Sequence, residues 1–391
     1  MKTTTTSLAA AFAVAVLTLA RGASAQAEQA SPVAEPGGER SAADAERRAN
    51  LDAAALKSDG RASFPLLGTD DGLQIEPHVS VITQYVFSLR EEAGEADWFH
   101  EFELPRAFAW VDARYEEAEA RVLLEGVRSA SEGALIGVAG DSLVLRLREA
   151  WASYTAWGVL ETRVGLVPTM SVGPIEAMWG MRPIHPTGLE RTGLASPADL
   201  GGTVRAILPR RYGWVGVAGY NGEGYARREL NRGKNIELAA NLHPLAGVRG
   251  AEPLTAFASY VSGSSGTGLG RADRLNAALG WQGDRIRGGV TATYALGVAG
   301  APETESLVLE AFLRVMPLER LVLGADLLHW HRDLSAGDDT TLTVSGAAGY
   351  FIADPIAAFV AVDGQLFGDA ARDSLPGQDD LRIRLIGTAS F

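Results

Sequence analysis

The chain has 391 residues and no cysteine, which excludes disulfide staples, thiolate metal sites and cysteine nucleophiles. Long apolar runs are missing too. Beyond residue 25 no stretch approaches the roughly 18 apolar residues that suggest a membrane-spanning helix. Lysine is nearly absent: Lys2, Lys57 and Lys234 are the only ones, so arginine carries almost all the positive charge. Acids outnumber bases and the formal charge is −13, a poor balance for nucleic-acid binding. Motifs of phosphate and acyl chemistry are lacking as well. Gly233-Lys234-Asn235 lacks the upstream glycine and the Ser/Thr of a phosphate loop. No Gly-x-Ser-x-Gly elbow occurs. His329 and His331 lie two apart, a spacing that can hold a metal, but no nearby Cys completes a site and a rim location is the expectation. No cofactor, metal site or catalytic residue is expected, and the chain does not read as an enzyme.

What is present begins with an export signal. Lys2 supplies the positive start, Leu8 to Ala20 is apolar apart from Thr18, and Ala23-Ser24-Ala25 provides small residues for cleavage. Residues 1–25 are therefore expected to be a cleaved signal peptide. Residues 26–70 are rich in Ala, Glu, Asp, Arg, Pro and Gly and read as a periplasmic leader. Ser41-Ala42-Ala43-Asp44 could open a short helix reaching Lys57.

From residue 71 to 391 the pattern becomes short alternating segments. Strands are expected near 74–88, 104–115, 118–128, 143–156, 159–167, 201–208, 213–220, 234–242, 253–261, 272–281, 285–296, 304–315, 319–330, 340–350, 355–367 and 379–391. That makes about sixteen, a number suited to a water-filled transmembrane antiparallel β-barrel. The connections agree: Glu116-Glu117, Trp157-Gly158 and Ile352-Ala353-Asp354 are turn-sized, and 90–103, 129–142, 168–200, 221–233 and 297–303 are longer loops. Short turns at one end and long loops at the other are the mark of an outer-membrane barrel. The last strand alternates most cleanly, with Leu381, Ile383, Leu385, Gly387, Ala389 and Phe391 facing lipid and Arg382, Arg384, Ile386, Thr388 and Ser390 facing water. Two aromatic girdles are expected: Tyr115, Trp157, Trp214, Trp281, Tyr350 and Phe391 at one rim, and Tyr85, Tyr220, Tyr260, Tyr294, Trp330 and Phe367 at the other.

Several short motifs add a resemblance. They are Val164-Gly165-Leu166-Val167-Pro168, Asp199-Leu200-Gly201-Gly202 and Asn221-Gly222-Glu223-Gly224. With them the chain resembles the phosphate-selective porin O and P family of Gram-negative outer membranes. Phe391, closing an amphipathic strand, resembles the signal that barrel-assembly machinery reads. The resemblance implies a sixteen-stranded barrel, a homotrimer, and passive uptake of anions or other small hydrophilic solutes. The family's phosphate-selective members carry a lysine cluster near the pore entrance; here two of the three lysines precede the barrel.

The third long loop, from Pro168 to Leu200, holds Met178, Trp179 and Met181 together with Glu176, Arg182, Glu190 and Arg191. It is expected to fold inward, where opposed acids and bases would set a field across a constriction. Alternation puts Arg114, Arg121, Arg146, Arg148, Arg163, Arg205, Arg274, Arg285, Arg287, Arg314, Arg382 and Arg384 on the lumen side. Asp112, Glu119, Glu161, Glu237, Glu310, Asp326 and Asp363 join them there. Rings of arginine favour anions, whereas paired charges merely wet and brace a wall. Three readings stay open: an anion-leaning porin for phosphate-type oxyanions, a general or cation-tolerant porin, and a non-conducting structural barrel or outer-membrane enzyme.

Overall fold

A computed structural model describes residues 67–68, 72–92, 95–128, 143–226, 231–265, 269–298, 301–375 and 379–391. The signal peptide and the leader helix lie outside the described residues. Leu67–Gly68, at the leader's end, pairs with Ile75 and Gln74.

Sixteen strands form one closed antiparallel barrel. They are β1 (Gln74–Glu92), β2 (Glu95–Tyr115), β3 (Ala118–Arg128), β4 (Leu143–Ala156), β5 (Leu160–Pro168), β6 (Ala198–Leu208), β7 (Gly213–Tyr220) and β8 (Asn235–Leu242). Then follow β9 (Leu254–Ser262), β10 (Asp273–Gln282), β11 (Ile286–Val298), β12 (Ala301–Leu318), β13 (Leu321–His331), β14 (Thr340–Ala353), β15 (Ile356–Phe367) and β16 (Asp379–Ser390). Each pairs with its sequence neighbours, and β16 closes on β1 with Leu385 opposite Tyr85. Val79 and Phe391 exchange backbone hydrogen bonds of 2.9 and 2.8 Å at the seam. Closure matters because an open strand edge in hydrocarbon would leave a row of unpaired amides.

Period-two alternation decides the two faces. Leu279, Val290, Leu313, Leu327, Val344, Val360 and Leu385 are exposed on the outside. Asn276, Thr293, Glu310, Asp326, Asp363 and Arg384 are buried on the inside. The inner polar groups bond across strands: Asn276 Nδ2 donates to Ser259 Oγ and Thr293 Oγ1 donates to Asn276 Oδ1, both at 2.9 Å. The tight turns are built by left-handed residues, as at Trp157 (φ 53°) and Gly158 (φ 67°), the conformation of a two-residue hairpin whose twist suits the flanking strands.

Three expectations need correction. The described residues of the expected 90–103 loop are strand; β1 and β2 have 19 and 21 residues, well beyond the about 9–11 that cross a membrane. Likewise β11 runs to Val298 and β12 starts at Ala301, leaving little of a 297–303 loop. The girdles lose four members. Trp214 and Tyr220 are buried on the inner face, the Trp330 indole donates to Ser306 Oγ at 2.9 Å, and Phe367 shares the inner face with Asp363. Tyr115, Trp157, Tyr294, Tyr350 and Phe391 are exposed.

Two bulges change the face a strand presents. Between β1 and β2 the register steps from Ile82–Arg106 to Gln84–Glu103, an extra residue beside Pro105, which cannot donate to the ladder. Above it Glu103 faces in, accepting from Gln84 at 2.5 Å, and Phe102 faces out, 82% exposed. In β4 the extra residue is Arg148, so Arg148 and Glu149 are both buried.

Candidate functional site in the barrel interior

The 169–197 segment carries helix α1 (Val172–Trp179) and the short turn α2 (Gly188–Arg191). Its neck is closed by Thr169 N donating to Pro197 O (3.1 Å) and Thr169 Oγ1 donating to Ser196 O (2.6 Å). Almost all of its apolar side chains are buried, among them Ile175, Met178, Trp179, Met181 and Ile184. They pack on the polar face of β10 to β13. Trp179 is sandwiched between His185 (5.0 Å, stacked) and Phe312 (5.6 Å, tilted). Gly280 and Gly324 form the sockets: a Cβ at either would stand 2.7 Å from Met178 Sδ or 2.8 Å from Met181 Cε. Chain ends of α1 and wall charges also match, because Arg287 and Arg314 flank Gly180 at the helix C-terminus, the end that favours cations.

Polar ties complete the anchoring. Arg191 Nη2 donates to Glu310 Oε1 (2.8 Å) and Asp326 Oδ2 (2.6 Å), and the Gly188 amide donates to Glu310 Oε1 (2.7 Å). Arg384, paired with Asp363 at 2.7 Å, donates to Ile184 O at 2.5 Å. Arg274 Nε donates to Leu194 O (3.2 Å). At the neck, Met170 N donates to both Tyr220 Oη and Glu237 Oε2 at 3.1 Å.

Within the segment, Arg182 is shared by two carboxylates. It donates to both oxygens of Glu190 (2.8 and 2.9 Å) and to Glu176. Burial pushes Glu176 up to about 7, with the Glu190 charge adding, against the pull of Arg182, Arg148 and Arg106. Burial acts the same way on Glu190, but Arg182, through charge and hydrogen bonds, and then Arg148 and Arg106 hold it down at about 2. His185 is driven well below its usual range by burial, then by Arg191 and Arg384, and is neutral near pH 7.

A second cluster sits on β2, β3 and β4. Glu125, wholly inaccessible, accepts from Arg106 (2.8 Å), Arg146 (3.0 Å) and Arg148 (3.3 Å). Tyr225 adds a fourth donor at 2.5 Å. Three guanidiniums thus meet one carboxylate.

The other arginines expected in the lumen are placed as follows. Arg121 grips Asp112 through two bonds of 2.7 and 2.9 Å. Arg163 and Arg205 share Glu161 at 3.2 and 2.6 Å and lie over Trp151 and Trp214. Arg114 stands 3.6 Å from Glu119. Arg287, Arg314 and Arg382 occupy the inner face by alternation. Arg285 does not: it is exposed in the 283–285 turn, because β11 begins one residue later than its parity requires. His329 lies on the outer face of β13, away from these charges.

Four participants escaped sequence reasoning. Arg106 and Glu125 share parity with Asp112 and Arg121 on their strands, a signal that would have found them. Glu149 is turned inward only by the β4 bulge, and Tyr225 belongs to a long loop where no periodicity applies.

The raised Glu176 gives a pH expectation. Its folded affinity for the proton exceeds the unfolded one, so its contribution to stability is complete below about pH 4.5 and is lost as pH rises through about 7. Over the same range a negative charge appears beside Glu190. The chloride-to-potassium permeability ratio of the reconstituted protein is expected to fall between about pH 6 and pH 8, and Glu176→Gln to flatten that fall. An equal slope in the variant would remove Glu176 from this role.

No protein-family model matches the chain, and no curated protein matches it. Solved structures do. The anion-selective porin from Comamonas acidovorans superposes with a TM-score of 0.58 at 11% identity, over 82% of this chain and 100% of that one. OmpF of Salmonella typhi, in complex with daunomycin, gives 0.58 at 13%, over 83% and 99%. The trimer form of OmpT of Vibrio cholerae gives 0.56 at 13%, over 82% and 100%. At such identities the likeness concerns architecture: the chain has the fold of outer-membrane porins.

Proposed function

We propose that this chain is a diffusion porin of a Gram-negative outer membrane, passing small hydrophilic solutes with a bias toward anions. The observation that carries the bias is the excess of guanidinium at Glu125, where Arg106 and Arg146 remain 26% and 34% exposed beside a fully covered carboxylate. Fixed positive charge at a narrow point offsets the hydration an anion sheds there. In this reading the pore narrows between this cluster and the 169–197 segment, whose Glu176 and Glu190 stand within electrostatic reach of Arg106 and Arg148. The exposed outer belt suits lipid, Phe391 at the seam suits recognition by assembly machinery, and export by a cleaved signal peptide and assembly as a homotrimer complete the reading. It is a channel and not an enzyme.

Phosphate-type oxyanions are the finer part of this proposal, supported by the planar donor forks of the trio. The test is a planar bilayer with a KCl gradient, followed by added phosphate. Stable conductance steps with a chloride-selective reversal potential support the anion bias, and block by phosphate supports the oxyanion reading. Steps with potassium preference and no phosphate effect leave a general porin. Folded protein that never conducts overturns the reading altogether.

A further inference from the structure

Two of the motifs behind the sequence resemblance meet in space. The Asp199 carboxylate accepts from the amides of Leu200 (2.7 Å), Gly222 (2.8 Å) and Gly224 (3.3 Å). Gly222 and Gly224 have φ of 111° and 77°, values that favour glycine, and a Cβ on Gly224 would stand 2.6 Å from Ser196 Oγ. Tyr225 N then donates to Ala198 O at 2.9 Å. The clasp turns the chain that leaves β7 back toward the lumen, and the side chain it delivers is Tyr225.

The Tyr225 hydroxyl donates to Glu125 Oε2 (2.5 Å) and accepts from Arg146 Nη2 (2.7 Å). Its ring lies 4.7 Å from the Arg146 guanidinium and 5.9 Å from that of Arg148. Arg146 is the most open of the three cations around Glu125. Ring and hydroxyl together fix the plane of its guanidinium and occupy one of its outer nitrogens.

We infer that Tyr225 is a selectivity-setting positioning residue of the pore, held in place by the Asp199–Gly222–Gly224 clasp. This rests on the porin reading. A second loop, besides the 169–197 segment, then controls how many guanidinium donors a passing anion meets. Tyr225 does so without a charge of its own, by deciding where Arg146 points.

The experiment compares reversal potentials in a KCl gradient for the full-length wild type, Tyr225→Phe, Asp199→Asn and the double variant. Phenylalanine keeps the ring and removes one of the two partners of Nη2, leaving only its contact with Glu125 Oε2 at 3.0 Å, so the chloride-to-potassium permeability ratio is expected to rise about twofold, a shift in the presentation of one fixed charge and not its loss. Asp199→Asn weakens the clasp and is expected to shift the ratio in the same direction. The double variant should add little to Asp199→Asn alone, since both act through one side chain. A purely structural role would alter yield or heat resistance and leave the ratio in place. The inference is overturned if Tyr225→Phe channels keep the wild-type ratio, or if the two effects add in full. A wild type that conducts without anion preference strikes the porin proposal's bias first; a conducting, anion-preferring wild type with an unmoved Tyr225→Phe strikes this inference only.

Discussion

Arg191→Ala is expected to enlarge the single-channel conductance and to lower the temperature at which the folded barrel denatures. Arg191 is the bridge between α2 and the far wall, with Glu310 and Asp326 both accepting from the same nitrogen. Their side chains are 2% and 0% exposed. Removing the cation leaves two carboxylates facing each other without a counter-charge. Truncating one partner of a buried ion pair costs about 3–5 kcal/mol, far more than a surface pair would. The 169–197 segment yields before the barrel does, because the barrel is held by continuous backbone ladders and α2 by a handful of side-chain bonds. A segment drawn off the wall widens the pore. Arg191→Lys should recover part of the stability through its charge and less of the geometry, having no planar fork. Glu310→Gln combined with Arg191→Ala should also recover part, by removing one of the stranded charges. Wild-type conductance and heat resistance in Arg191→Ala would show that the segment is held by its apolar sockets at Gly280 and Gly324 and not by this bridge.

The second large effect is expected from replacing Arg106 and Arg146 together by glutamine. Three guanidiniums surround Glu125, so the double change leaves Arg148 and Glu125 in balance. In the 169–197 segment Glu190, joined by Glu176 as pH rises through about 7, then faces Arg182 and Arg148 without the help of Arg106. Two unit charges about 4 Å apart interact by roughly 1 kcal/mol in water and about 4 kcal/mol at a protein surface. Loss of two cations in a wet lumen is therefore expected to lower the chloride-to-potassium permeability ratio about tenfold, enough to invert a modest preference. The change should shrink as salt is raised, since the screening length falls to about 3 Å at 1 M. Arg121→Gln provides the contrast. Arg121 already grips Asp112, so its removal is expected to matter less to selectivity than to the local fold. If Arg121→Gln moved the reversal potential as far as the double variant, all inward arginines would count alike and the excess at Glu125 would lose its special role.

How far the sequence carried the structure depends on the range of the interaction involved. Alternation is local, and β16 shows its strength: every residue from Leu381 to Ser390 lies on the face its parity assigns. The same rule set the strand count, the short turns and the inward placement of the arginines assigned to the lumen other than Arg285, because a barrel in lipid admits only one arrangement of apolar and polar faces. Parity fails wherever one residue is inserted. Arg148 and Glu149 both turn inward, and Phe102 turns outward, at bulges that leave no trace in the periodicity. Trp214 and Tyr220 looked like girdle aromatics because a ring near a strand end suits either face; their neighbours Arg205 and Met170 decide the inner one. The partnerships at the pore were beyond local reading altogether. Tyr225 and Glu125 are 100 residues apart, and Arg191 and Asp326 are 135 apart. The sequence by itself determined which residues could be charged and inward. Only closure of the sheet decided which charges neutralise one another and which are left over, because an ion pair depends on a few ångströms of geometry that no spacing along the chain encodes.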